Sequence, residues 1–201
     1  HRKVPPPRDP TPGLVSHLPL LYHAALHCCP QLRRVKEADV KLAVVYHSET
    51  GNTRRMAELV KQGAESVPGV EAKAMSIEAL DAAYLAEAPV VALGCPTYEG
   101  TCSWQMKKFL DEVEAPLEGK LGGVFASQNW PGGGGADLAE ITMIAGMLVR
   151  GMLIYSGGIA CGQPFLHFGA VSTRRPEGIY EERCRKLGRN LAEKGLELFG
   201  K

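Results

Sequence analysis

The chain has 201 residues, of which 45% are hydrophobic and 22% are charged, and its formal net charge is +1. This balance is typical of one globular domain, and it excludes a disordered chain, a collagen-like fibre and a strongly basic nucleic-acid-binding protein. No apolar run approaches the roughly 20 residues that a transmembrane helix needs. We therefore expect a globular domain with no membrane span and no nucleic-acid partner.

Residues 1–39 differ in composition from the rest of the chain. Five prolines lie within residues 4–13, and three histidines and a proline interrupt the apolar run of residues 14–29. Proline-rich sequence favours extended polyproline structure over a packed core. We interpret residues 1–39 as a poorly ordered leader, with a docking arm as the alternative, and residues 40–201 as the folded domain.

The six cysteines indicate a reducing compartment. None belongs to a CxxC pair, and no group of cysteines and histidines has the spacing of a zinc site. Disulfides are the alternative for an even number of cysteines, but the chain shows no credible signal peptide. We expect free, buried thiols, no bound metal and a cytoplasmic location.

From residue 41 onwards, apolar runs alternate with segments of helical periodicity. Short apolar runs predict five strands, over residues 42–46, 70–75, 89–94, 121–127 and 152–155. Apolar residues at helical spacing predict helices over residues 56–67, 106–113, 138–148 and 180–198. The strands are continuous apolar runs, which is typical of a parallel sheet that helices cover on both faces. The sequence therefore predicts an α/β fold with three layers.

The residues that follow the first predicted strand are suited to bind a phosphate. They are Ser48, Glu49, Thr50, Gly51, Asn52 and Thr53. Free backbone N–H groups at a helix start attract an anion, and hydroxyl groups add hydrogen bonds of about 1.5–3 kcal/mol each. Neither GxxxxGK[ST] nor GxGxxG is present. We predict a phosphomonoester site, and the alternative is an ordinary helix start with Thr50 or Asn52 as N-cap.

Two further segments follow the third and fourth predicted strands. The first contains Pro96, Thr97, Tyr98, Glu99 and Gly100, and the second contains Ser127, Gln128, Asn129, Trp130, Gly132 and Gly133. Parallel strands bring their carboxyl ends to one sheet edge, where ligands of α/β proteins bind. Each segment alone could be a core lid or a flexible connection. Together with the phosphate loop, they predict a site for a planar ring that carries one phosphate.

These three segments resemble those of a known family. Residues 44–57, VVYHSETGNTRRMA, resemble the FMN-phosphate signature of flavodoxins at every constrained position. Residues 96–100 and Ser127 with its glycine run resemble the flavodoxin-like NAD(P)H:quinone oxidoreductases of the tryptophan-repressor-binding-protein type. The resemblance covers residues 40–201. It implies a five-stranded flavodoxin-like sheet, in the order 2-1-3-4-5, that holds FMN without a covalent bond.

The resemblance also implies a place for each part of FMN. Residues 48–53 would hold the phosphate, residues 97–100 would run along the isoalloxazine ring, and residues 127–133 would cover its other side. We predict that the peptide between Glu99 and Gly100 faces flavin N5. Tyr98 and Trp130 either contact the ring or act only as apolar cover.

The function that the resemblance implies is electron transfer from NAD(P)H to a quinone or a similar acceptor. The alternative is a flavodoxin-type carrier that moves single electrons between redox partner proteins. Residues 41–201 carry a formal net charge of −2, whereas carriers that dock electrostatically are strongly acidic. The weak charge favours the enzyme, and a homo-oligomer is compatible with both. A phosphate-receiving signalling domain is disfavoured, because its chemistry needs carboxylates at strand ends.

Four other residues have two interpretations each. Arg150 stands where the quinone reductases carry a histidine near the flavin, and it is either a charge near the flavin or a helix-end cation. His167 is either a proton donor or a solvated loop residue. Arg174 and Arg175 either bind the phosphate of a nicotinamide dinucleotide or are ordinary surface charges.

Overall fold

The computed structural model describes residues 40–200. The predicted leader and the cysteines Cys28 and Cys29 lie outside the described residues. The strands are β1 (Val40–Tyr46), β2 (Val70–Ser76), β3 (Val90–Tyr98), β4 (Thr101–Cys102), β5 (Leu121–Gln128), β6 (Leu153–Ile154) and β7 (Ala170–Thr173). The helices are α1 (Asn52–Glu65), α2 (Ala82–Glu87), α3 (Trp104–Glu112), α4 (Ala136–Val149) and α5 (Ile179–Phe199), with a 3₁₀ turn at Ile77–Ala79.

The main sheet is parallel and has the order β2-β1-β3-β5-β6, which confirms the flavodoxin-like strand order. Two short strands share its fifth position. β6 pairs with Leu121 and Gly122 at the start of β5, whereas β7 pairs with the residues from Phe125 to Gln128 at its end. The single fifth strand predicted over residues 152–155 is therefore wrong in extent. The segment between β6 and β7 contains four glycines and one proline, which interrupt the strand.

Helices cover both faces of the sheet, as the continuous apolar strands predict. Buried residues of α1 and α5 pack on one face around Leu42, Val44 and Phe125. Buried residues of α2, α3 and α4 pack on the other face around Ala43, Val91 and Val124. The result is a three-layer sandwich. None of the described helices is long and apolar enough to cross a bilayer.

The third strand is longer than predicted. The sequence predicts its end at Gly94, but β3 continues to Tyr98 and folds back into β4, which pairs antiparallel with it. Glu99 and Gly100 form the turn, with φ of 48° and 80°. Two successive residues with positive φ are typical of the two-residue turns that fit strand twist. Pro96, Thr97 and Tyr98 are therefore strand residues rather than loop residues.

Helix α4 forms where the sequence predicts it, but it buries a different face. Its buried residues are Ala136, Ala139, Glu140, Met143 and Met147. Leu138, Ile141 and Leu148, whose spacing predicted the helix, are exposed. Because α4 is apolar on nearly all sides, periodicity indicates a helix here but does not determine which side faces the sheet.

Candidate functional site

The loop between β1 and α1 presents a helix start that no side chain caps. The N-cap is Gly51, with φ of 91°, and it makes no side-chain cap hydrogen bond. The alternative with Thr50 or Asn52 as N-cap is therefore wrong. The helical hydrogen bonds begin with Arg55 N–H donating to the Gly51 carbonyl at 3.0 Å. The preceding N–H groups have no acceptor within the helix, which is the arrangement that binds anions.

Two buried hydroxyl groups near this helix start lack partners. Ser48 Oγ, in the loop, and Thr97 Oγ1, near the end of β3, make no hydrogen bond among the described residues. Leaving a buried polar group unpaired costs about 1–3 kcal/mol. A ligand with hydrogen-bonding oxygens at this edge would satisfy them. Both residues belong to the set predicted from the sequence.

Thr53 and Ser127 hold the first and third loops together. Both residues are buried, and their hydroxyl oxygens lie 2.8 Å apart in a hydrogen bond. Thr53 is in the first turn of α1, and Ser127 lies near the end of β5 opposite Pro96 of β3. This bond fixes the phosphate-loop helix against the segment predicted to cover the ring.

The glycine-rich loop after β5 is held from both of its ends. Gln128 Oε1 accepts from the first N–H of α4, at Ala136, over 3.0 Å, and Gln128 Nε2 donates to Thr173 at 3.4 Å. A Cβ atom built on Gly135 would overlap the carbonyl of Gly100. The loop and the β3–β4 turn therefore meet directly, and only glycine allows this approach.

The other glycines around the edge have free space beside them. A Cβ atom on Gly51, Gly100, Gly132 or Gly133 would meet no atom within 4 Å. Asn129 and Trp130 are exposed, and Trp130 retains 69% of its accessible surface. The turn and the glycine-rich loop thus each present open, solvent-exposed backbone on which a flat ligand could lie.

Tyr98 and Glu49 connect the β3 end to the phosphate loop. Burial and the neighbouring Glu49 carboxylate raise the pKa of Tyr98 above its usual value. Gln105 Nε2 of α3 donates to Glu49 Oε1 at 3.0 Å. Tyr98 therefore remains a neutral phenol beside the candidate site at neutral pH.

His47 and Gln105 also belong to the candidate site, although the sequence alone indicates no role for them. His47 is buried immediately before the phosphate loop, and its Nδ1 lies 2.7 Å from Glu78 Oε1. The hydrogen bond to His47 and the backbone N–H of Glu78 itself lower the pKa of Glu78, against the effect of partial burial. His47, through Glu78 in the 3₁₀ turn, and Gln105, in α3, position the loop from one side. The position of His47 next to Ser48 could have indicated its role, but its partner Glu78 lies 31 residues further along the sequence.

The four residues to which the sequence gives two interpretations each lie in three different parts of the structure. Arg150 donates to the carbonyls of Leu110, Asp111 and Val113 at 2.8–3.0 Å, at the end of α3. These contacts support the interpretation of Arg150 as a helix-end cation. The helix end that it binds is that of α3, whereas Arg150 itself lies at the end of α4. His167 is exposed in the segment between β6 and β7. Arg174 and Arg175 are exposed after β7.

The edge as a whole fits FMN. The uncapped start of α1 and the unpartnered Ser48 hydroxyl suit the phosphate, while Thr97 and the open space beside Gly100, Gly132 and Gly133 suit the ring. Among the described residues, no group of three or more histidine, cysteine or acidic side chains could hold a metal ion.

Comparison with known proteins identifies the family. The Flavodoxin family matches residues 44–140. A flavodoxin of Clostridium saccharobutylicum is 38% identical over 161 residues, covering 80% of this chain and 100% of the relative. An NAD(P)H dehydrogenase (quinone) of Archaeoglobus fulgidus is 28% identical and covers 76% of this chain and 96% of the relative.

Solved structures agree with this assignment. A flavodoxin from the domain Archaea superposes with a TM-score of 0.64 at 31% identity, over 78% of this chain and 99% of that chain. A WrbA-like flavodoxin protein of Agrobacterium tumefaciens superposes with a TM-score of 0.65 at 26% identity, over 79% of this chain and 98% of that chain. The chain therefore belongs to the flavodoxin family and is a flavodoxin-like FMN protein.

Proposed function

We propose that this protein is an electron carrier of the flavodoxin type, which receives and delivers electrons by contact with redox partner proteins. The observation that supports it is the open edge of the site. Glu99, Gly100 and Trp130 are all exposed, at the place where the ring of FMN would lie. An exposed ring edge lets a partner approach within electron-transfer distance without entering a pocket.

Bound FMN supplies the redox chemistry, and the protein supplies binding and hydrogen bonds. Residues 48–53 would hold the phosphate through the N–H groups at the start of α1 and the hydroxyl of Ser48. Thr97 would direct its free hydroxyl to the ring. The Glu99 carbonyl, in the β3–β4 turn, would accept a hydrogen bond from N5–H of the reduced ring. Tyr98 and Trp130 would exclude water from the two sides.

A second candidate function is the transfer of electrons from NAD(P)H to a quinone. Arg174 N–H donates to the Gln128 carbonyl at 2.6 Å, so the exposed Arg174 and Arg175 stand at the same sheet edge as the candidate FMN site. Guanidinium groups at this place could bind the phosphates of a dinucleotide. The weak net charge and the relatives named NAD(P)H dehydrogenase (quinone) also favour it.

Anaerobic stopped-flow mixing of the FMN-loaded protein with NADPH or NADH distinguishes the two functions. For a carrier, we expect the yellow absorbance of the flavin to persist with either nucleotide and to disappear with dithionite. Rapid bleaching by NADPH, followed by recovery on adding a quinone, would overturn the carrier proposal. The variant R174A/R175A is the control, because it should slow such bleaching and leave the dithionite reaction unchanged.

We also propose that the protein works in a reducing compartment such as the cytoplasm. Cys95, Cys102, Cys161 and Cys184 are all free thiols, and three of them are buried. This matches the predicted buried thiols except at the exposed Cys161.

A further inference from the structure

Two of the buried thiols lie next to each other beside the candidate FMN site. Cys95 of β3 and Cys102 of β4 have their sulfur atoms 3.6 Å apart, and the residues are 0% and 6% exposed. They flank residues 96–100, the five residues of this hairpin that belong to the predicted FMN site. In the ladder, Cys102 is opposite Thr97.

We propose that Cys95 and Cys102 form a modification site, in which a hydroperoxide oxidises the two thiols to a disulfide that closes the β3–β4 hairpin. The inference rests on the placement of these two thiols and not on the carrier function proposed above.

The surroundings make the two thiols unequal. The hydrogen bond between the Cys95 and Cys102 sulfur atoms lowers the pKa of Cys95, and the backbone N–H and hydroxyl of Ser103 act in the same direction, against the effect of burial. Ser103 is the N-cap of α3, a position where a helix start favours a thiolate. The same sulfur–sulfur hydrogen bond, together with burial, raises the pKa of Cys102. Cys95 is therefore the attacking thiolate, and Cys102 is the resolving thiol.

The chemistry balances in two steps. The Cys95 thiolate attacks one oxygen of hydrogen peroxide, the O–O bond breaks, and a sulfenic acid and one water form once a proton is added. The Cys102 sulfur then attacks the Cys95 sulfur, the S–O bond breaks, and the second water leaves. In total, the two thiols lose two protons and two electrons, and these reduce one hydrogen peroxide to two waters.

The hairpin can bring the sulfur atoms into bonding distance. A disulfide needs a sulfur separation of about 2.05 Å, so the sulfur atoms must approach by about 1.5 Å from their present positions. β4 has only two residues, and it pairs with β3 at only two positions. Short ladders open at low free-energy cost, which admits a water-sized oxidant and permits this rearrangement.

The other described cysteines provide an internal comparison. Cys184 of α5 is fully buried, and burial raises its pKa to about 12. Cys161 is exposed, and its sulfur atom lies 3.6 Å from the hydroxyl oxygen of Tyr155. Neither has a second thiol beside it among the described residues, so neither is suited to form an internal disulfide.

The test uses the full chain with Cys28, Cys29 and Cys161 replaced by serine. After treatment with hydrogen peroxide, with and without FMN, peptide mass mapping without reductant should find Cys95 joined to Cys102. The linked peptide should lack the mass of two hydrogens, and a reductant should reverse the change. Cys184 should remain a free thiol throughout.

Two variants in this background identify the attacking thiol. In C102A, a 1,3-diketone should trap a sulfenic acid at Cys95 at least about tenfold faster than any label at Cys184. In C95A, Cys102 should remain unlabelled. Far-ultraviolet circular dichroism checks that both variants are folded, and the mapping of the parent chain does not depend on them.

Three results would overturn the proposal. The first is peroxide treatment of the folded chain that leaves Cys95 and Cys102 as free thiols. The second is a link that forms only in denaturant, and the third is labelling of Cys184 as fast as that of Cys95.

Discussion

Gly100 determines which backbone geometry the exposed edge of the site can adopt. It lies in the β3–β4 turn with φ of 80°, after Glu99 with φ of 48°, and no atom lies within 4 Å of the position of a Cβ. A side chain would therefore cause backbone strain rather than a clash. Because this strain falls on the φ angle of Gly100, it would act directly on the preceding peptide, between Glu99 and Gly100, that we predict to face flavin N5.

We predict that Gly100→Ala shifts the midpoint potentials of bound FMN. Loss of one hydrogen bond, worth about 1.4 kcal/mol, shifts a one-electron potential by about 59 mV. A spectroelectrochemical titration of wild type and variant measures the shift. Gly119→Ala is the control, because Gly119 also has a positive φ and open space beside it but precedes β5, at the sheet edge opposite the candidate site. Unchanged potentials in Gly100→Ala would refute the contact at N5.

Glu140 is a buried carboxyl with no role in the predicted site. It is 1% exposed, and its Oε1 has no hydrogen-bond partner among the described residues. Burial raises its pKa well above the usual value, and the charges of Asp137 and Cys95 add to this effect. The folded protein therefore binds a proton at Glu140 more tightly than the unfolded chain does.

We predict that Glu140 makes the protein less stable as the pH rises. Its contribution is fully present below the unfolded pKa of about 4.3 and is lost as the pH rises through the higher folded pKa. Urea unfolding of Glu140→Gln, compared with wild type at about pH 5 and about pH 8, should show a smaller loss of stability at the higher pH. The exposed Glu114→Gln is the control. An equal pH dependence in Glu140→Gln and wild type would contradict the raised pKa.

Helices α1 and α5 pack so closely that their backbones are in contact. A Cβ atom on Gly63 of α1 would overlap the backbone carbonyl of Arg185, and one on Gly188 of α5 would overlap that of Val60. The two helices thus touch backbone to backbone over one face of the sheet. This contact holds the C-terminal part of α1, and near the start of the helix Arg55 donates to Glu181 of α5 at 2.9 Å.

We predict that Gly63→Ala destabilises the fold by about 1–3 kcal/mol, the usual cost of overpacking a core. Urea unfolding of the FMN-free protein measures it. Gly132→Ala, at a position with open space, should change the free energy of unfolding by less than about 0.5 kcal/mol. A Gly63→Ala variant as stable as Gly132→Ala would show that the helices can separate at no cost.

The strands and helices were predictable to different degrees. β1, β2 and β5 were predicted almost to the residue. β1 and β5 are nearly continuous apolar runs, whereas β2 alternates apolar residues with Glu71 and Lys73. The end of β3 was not predicted, since Thr97 and Tyr98 read as loop residues until β4 pairs with them. The short α2 was not predicted, because six residues are too few for a helical period. The split fifth strand depends on pairing with β5, which no local pattern contains.

The candidate site was also predictable from the sequence only in part. Ser48 to Thr53 could be named from hydroxyls and glycine at a helix start, and their local signal is strong. The bonds that hold these residues connect distant positions: Thr53 with Ser127, Glu49 with Gln105, and His47 with Glu78. Such pairs are visible only after folding, so the sequence predicts the donors but not what positions them.

At the scale of the whole molecule, charge and apolar surface bear on partners. Leu138, Ile141 and Leu148 are exposed on α4, and exposed apolar patches often mark protein interfaces. The homo-oligomer that the family resemblance allows stays a prediction. Sedimentation velocity of the full chain tests it, because a particle heavier than the 21.7 kDa monomer is expected for an oligomer and the monomer mass would contradict it.

Binding of FMN through its phosphate is the property on which the whole molecule depends. Ligand that binds only the folded state stabilises it by about 2.7 kcal/mol at a concentration of 100 times Kd. We therefore expect FMN to raise the melting temperature of the full chain, and riboflavin, which has no phosphate, to raise it much less. Equal shifts of the melting temperature with the two flavins would show that the ring alone supplies the binding free energy, which would contradict the prediction.

The most direct measurement is a fluorescence titration of FMN and of riboflavin with the full chain, in wild type and Ser48→Ala. We expect the protein to quench FMN emission to saturation and to bind riboflavin at least about 100-fold more weakly, because charge-assisted hydrogen bonds of about 1.5–3 kcal/mol each are lost. Ser48→Ala should weaken FMN and leave riboflavin unchanged. Unquenched FMN, or equal affinity for the two flavins, would contradict a phosphate site between β1 and α1.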